Sequence, residues 1–141
     1  MKKQNLPFLG IMLLLFACNN RLGSKETSNK MTFGDFVEID KIEKVIMSNN
    51  SGTFVLNHTQ TNKIKGELSS MIYDPNTSVK VGAISIELLI NGEAHHIYSA
   101  THGDYIEVHR DIATKNESSL GKSEWIYFKI DGVNFDNYFV E

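Results

Sequence analysis

The chain has 141 residues, 41% of them apolar, with 14 basic and 17 acidic side chains, a single cysteine and two prolines. This composition excludes a collagen-like chain, a disulfide scaffold and a highly charged disordered segment, and the length suits one domain. A net charge of −3, with no basic run longer than Lys2-Lys3, argues against a protein that displaces counterions from nucleic acid.

In chain order, Lys2 and Lys3 precede the uncharged stretch Leu6 to Ala17, and Cys18 follows it. A helix needs about 18 to 20 apolar residues to cross a bilayer. The stretch is too short for that and has the order of a secretory leader: basic, apolar, small, then polar. A helix of the core would break its apolar run with polar residues at helical spacing. The run Leu15-Phe16-Ala17-Cys18 resembles the lipobox of bacterial lipoproteins. This resemblance extends over residues 1–18 only. It implies a signal peptide at 1–17, removed in front of Cys18, whose thiol carries lipid of the palmitate type. Each buried methylene adds about 0.8 kcal/mol, so two or three acyl chains anchor a protein that does not span the membrane. Asn19 is not an inner-membrane retention signal of the aspartate type, so the resemblance implies delivery to the outer membrane where one exists. The expected location is therefore the cell envelope, outside the cytoplasm. Without the leader the chain has 12 basic and 17 acidic residues, a charge of −5, so anionic headgroups add no attraction. Residues 18–32 then read as the lipidated cysteine and a flexible tether.

Residues 33–141 read as a single α+β domain. Val37 to Met47, the turn Ser48 to Gly52, and Thr53 to Leu56 form an expected hairpin. Ile64, Leu68, Met71 and Ile72 recur at helical spacing and predict a helix, capped by Thr59 or Thr61 and ended at Asp74-Pro75-Asn76. Gly66 weakens that helix by about 1 kcal/mol relative to alanine, so it must pack on a sheet. Ala83 to Ile90 alternates, Asn91-Gly92 turns it, and Ala94 to Ser99 returns. Further strands are expected at 105–109, at 125–130 and, after Asp131-Gly132, at 133–140. The sum is a curved antiparallel sheet of about seven strands with one helix packed on one face.

Four histidines, His95, His96, His102 and His109, fall within fifteen residues. Imidazoles with nearby carboxylates suit zinc, but strand neighbours point to opposite faces, so His95 and His96 cannot both reach one ion. Neither paired Cys/His spacing nor a His-Glu-x-x-His helix is present. No serine has the context of an activated nucleophile, and Glu87, Glu93, Glu107 and Glu124 fit the polar covering of a wet sheet face better than a catalytic pair. No motif implies a cofactor or a catalytic residue. Trp125 and Tyr127 share one strand face, with Ile126 and Phe128 on the other, and an exposed Trp/Tyr pair suits partner binding. The expectation is a lipid-anchored, non-catalytic binding or inhibitor-like module that meets an envelope protein or a small ligand and no nucleic acid. A metal-binding protein or metal-dependent hydrolase using the histidines is the alternative.

Overall fold

The computed structural model of the protein describes residues 29–140. The leader, Cys18 and the tether up to residue 28 lie outside the described residues. Alternating segments form seven strands: β1 (Ile42–Asn49), β2 (Gly52–Val55), β3 (Ile72–Tyr73), β4 (Val81–Ile90), β5 (Glu93–Ala100), β6 (Tyr105–His109) and β7 (Trp125–Lys129). They pair antiparallel in the order β2-β1-β4-β5-β6-β7-β3, leaving β2 and β3 as the edges. The architecture is the expected α+β arrangement of an antiparallel sheet with one main helix. Asn91 and Gly92, both at positive φ, close the β4–β5 hairpin and align Ile90 with Glu93. A two-residue turn of this kind matches the twist of the strands it joins.

The main helix, α2 (His58–Ser69), is capped by Asn57 rather than by Thr59 or Thr61. Asn57 Oδ1 accepts the Gln60 N–H at 2.9 Å, and Gln60 Oε1 accepts the Asn57 N–H at 3.0 Å. This reciprocal pair satisfies two donors that the first turn would otherwise leave open. Thr61 instead joins Ile64 and Leu68 on the buried stripe of α2. The helix ends at Ser69, earlier than its apolar spacing suggests. Met71 is buried beyond the end, and Ile72 belongs to β3, where it pairs with Lys129.

Two other expected strands are corrected. Phe33–Phe36 forms a short helix, α1, and Ile39–Lys41 a 3-10 turn, so β1 starts at Ile42 and not at Val37. Thr32 donates to the Asp35 carboxylate from its N–H at 2.7 Å and from its hydroxyl at 3.0 Å. These bonds start the turn and hold the Asp35 carboxyl below its ordinary range. At the other end, Phe135–Tyr138 is a 3-10 turn where a strand over 133–140 was expected. Phe135 and Tyr138, three residues apart, share one side of that turn and are both buried. The seventh strand is β3.

One face of the sheet is sealed. Val45, Met47, Ile86, Leu88, Ile97, Ile106, Val108, Ile126 and Phe128 are all at most 2% exposed and pack against Phe33, Phe36, Ile64 and Leu68 of the two helices. The Phe128 ring meets the rings of Phe33 at 5.1 Å and Phe36 at 6.0 Å. The long connection from β6 to β7 also lies on this side. Its Ile112, Ala113 and Leu120 are buried in the same core. Lys115 Nζ donates to the Gly34 carbonyl at 2.8 Å, and Asn116 Nδ2 to the Asp35 carbonyl at 2.8 Å.

Candidate functional site

Because side chains alternate across a strand, every second residue of the same strands faces away from the core. Register fixes which of them become neighbours. Tyr98 of β5 lies opposite Glu107 of β6, and Glu107 lies opposite Tyr127 of β7. One row further, Glu87 pairs with His96, and His109 with Trp125. Ile46 and Val55 extend the same face toward the β2 edge. None of these residues is buried. Trp125 is 38% and Val55 60% exposed. The connection between β3 and β4 reaches across β7 onto this face: the Tyr105 hydroxyl of β6 donates to Asp74 at 2.9 Å, and Pro75 and Thr77 line a groove with Trp125 and Tyr127.

Four rings form a continuous run across this surface. His96 stacks on Tyr98 at 6.4 Å, Tyr98 meets Trp125 at 6.4 Å and 60°, and Trp125 meets His109 edge-to-face at 5.3 Å. Tyr98 and Trp125 belong to strands on either side of β6, so their rings approach each other above it. The Tyr127 phenol is held above its ordinary range, first by partial burial and then by the Glu107 carboxylate beside it. On the outer side of β7, Trp125 and Tyr127 also border a groove of about 300 Å³, with Asp74 and Lys122 among its other walls.

The expected candidates separate accordingly. Trp125 and Tyr127 stand together on the face away from the core, as strand parity requires, and Ile126 and Phe128 are buried on the other. His95 and His96 point to opposite faces: His95 is aligned with Leu88 on the core side and only 14% exposed at its side chain, and His96 is 51% exposed. His109 Nδ1 lies 3.1 Å and His95 Nδ1 3.8 Å from the Asp111 carboxylate. His102 sits apart from them, in the turn between β5 and β6, where it lines a polar cavity of about 590 Å³ with Asn50, Ser99 and Asp136. The four histidines are therefore not one cluster, and among the described residues no group of three or more His, Cys, Asp or Glu side chains is placed to hold a metal ion.

Tyr98, Glu107, His96 and His109 complete the aromatic surface; the sequence singled out the histidines for metal and Glu107 as polar covering of a wet face, and did not single out Tyr98. The missing information was the β5–β6 register, since the turn at Thr101–Asp104 is too long to dictate one alignment. Among the described residues no helix is long and apolar enough to cross a membrane. No family model, no curated protein and no solved structure matches the chain.

Proposed function

We propose that the protein is a lipid-anchored module of the cell envelope that binds a partner through the sheet face carrying Tyr98, Trp125 and Tyr127, without catalysing a reaction. The observation that supports this reading is the path of the β6–β7 connection. Its Ile112, Ala113 and Leu120 pack on the helix side, and although its Gly121 to Ser123 border Trp125 and Tyr127, Trp125 and His96 stay exposed and Tyr98 and Tyr127 partly so. Tyr and Trp bury large contact area at low entropic cost, and rings that are partly exposed on a rigid sheet are pre-positioned for contact. The leader and Cys18 supply the anchor in this reading.

The test is a pull-down from envelope extracts with the protein as expressed from its full gene. A specific partner should be recovered with wild-type protein and lost when Trp125 and Tyr127 are both changed to alanine. Cys18→Ala should move the protein from the membrane fraction to the soluble one. Recovery indifferent to the aromatic changes refutes the binding face, and acyl-free protein retaining its initiator methionine refutes the anchor.

A further inference from the structure

Resting on the binding face proposed above, we infer that its occupant is an arginine side chain presented by a partner polypeptide, with the guanidinium against the rings of Trp125 and Tyr98 and its N–H donors on the Glu107 carboxylate. The register carries the argument. Glu107 stands between Tyr98 on one neighbouring strand and Tyr127 on the other, and Trp125 leans across β6 to Tyr98. A carboxylate flanked by aromatic rings joins the two groups that attract a cation: the negative face of the ring and a formal negative charge.

Two further acidic side chains stand beside the rings. Glu87 and Asp111 adjoin the ring run at its His96 and His109 ends, each paired with an imidazole. Among the basic residues near the face, Lys44 is aligned with Leu89, Lys129 with Tyr105, and Lys122 lines the groove on the outer side of β7 with Trp125 and Tyr127, away from Tyr98 on β5. Among the described residues, the cation placed over a ring is Lys63, at Tyr138 on α2's side of the molecule, 5.2 Å from the ring centre, and none is placed over Trp125 or Tyr98. Arginine fits better than lysine. Its planar guanidinium stacks on a ring while its edge donates two parallel hydrogen bonds to one carboxylate, which a compact ammonium cannot do. The charge of −5 on the chain without its leader favours the approach of a basic segment.

Trp125 is the only tryptophan in the chain, so its fluorescence reports on this surface alone. The experiment titrates the full chain with an acetylated Gly-Arg-Gly-Arg-Gly amide and with the same peptide carrying citrulline, a neutral isostere, in place of arginine. The arginine peptide should give a saturable change in Trp125 emission and the citrulline peptide none. A lysine peptide should bind at least fivefold more weakly. Glu107→Gln should weaken the arginine peptide at least tenfold with its thermal midpoint preserved; should that variant fail to fold, the comparison of arginine with citrulline decides alone. Equal response to arginine and citrulline overturns the inference, as does a folded Glu107→Gln that binds like wild type. If the envelope partner still depends on Trp125 and Tyr127 while the arginine peptide does not bind, the binding face stands and its guanidinium chemistry falls. If the peptide binds and recovery of the partner ignores those two residues, the arginine site stands and the envelope reading falls.

Discussion

The two faces of the sheet are made by the same strands and differ only in which alternate residues they receive. Phe128 and Tyr127 are chain neighbours, yet Phe128 is fully buried among the rings of Phe33, Phe36 and Tyr73, and Tyr127 keeps contact with water beside Glu107. On the core face, shape and burial decide each residue. On the other face the same backbone displays rings and carboxylates in rows that stay partly open to water. A large aromatic side chain can thus be structural or available according to parity alone.

The sharpest way to break this comparison is to truncate both neighbours. Phe128→Ala should cost about 3 to 5 kcal/mol, a large part of the total stability of a domain this size. Tyr127→Ala should cost less than about 1 kcal/mol, as a partly exposed residue outside the core. Urea denaturation measures both, and comparable losses would mean that the second face is also covered. A smaller effect of opposite sign is expected on α2. Gly66 is exposed, and a Cβ built there meets nothing within 4 Å, so Gly66→Ala should raise stability by about 1 kcal/mol in the same assay. Destabilisation would show that α2 packs on a second surface.

The smallest effect concerns pH. The Tyr138 hydroxyl donates to the Glu67 carboxylate, and burial first, then this bond, hold the phenol well above its ordinary value. A raised folded value contributes stability that is complete below the unfolded value near pH 10, and is lost as pH rises through the folded one. The thermal midpoint should therefore fall above about pH 10, and Tyr138→Phe should make that fall shallower. Tyr105 and Tyr127 are shifted in the same direction, the first by its bond to Asp74 and the second by burial, so part of the slope should persist. A slope unchanged by Tyr138→Phe would show that the sealed side contributes nothing to it.

Much of the fold was legible because its signals are local. Asn91-Gly92 set a hairpin, and the parity of Trp125-Ile126-Tyr127-Phe128 assigned each ring to its face before any partner strand was known. The failures came where apolar spacing fits more than one conformation. Phe135, Tyr138 and Phe139 look like a strand remnant, but a spacing of three is also that of a 3-10 turn, and tertiary packing chose it. Met71 and Ile72 continue the helical spacing of Ile64 and Leu68, yet Phe33 N–H donates to the Met71 carbonyl at 2.8 Å and Tyr73 N–H to the Met31 carbonyl at 2.8 Å. Competition from this distant chain segment for the backbone is not visible locally. Tyr98 and Glu107 were not recognised as partners of Trp125 and Tyr127 for a related reason. Their meeting is a property of strand order, since β5, β6 and β7 must lie side by side in one register.

The attachment of β3 has a mechanical consequence. Residues 31–33 are bonded to 71–73, and β3 in turn is held to β7 by the short pairing of Ile72 with Lys129 and Tyr73 with Phe128, continued by the Asp74 N–H donating to the Tyr127 carbonyl at 2.9 Å. Tension arriving from the N-terminal side thus loads the shortest strand in the sheet before it reaches any other. Behind that narrow joint stand Phe33 and Phe36, wedged on Phe128 like a stopper, so a pull applied at residue 29 meets packed aromatic rings before the longer strands can begin to unzip.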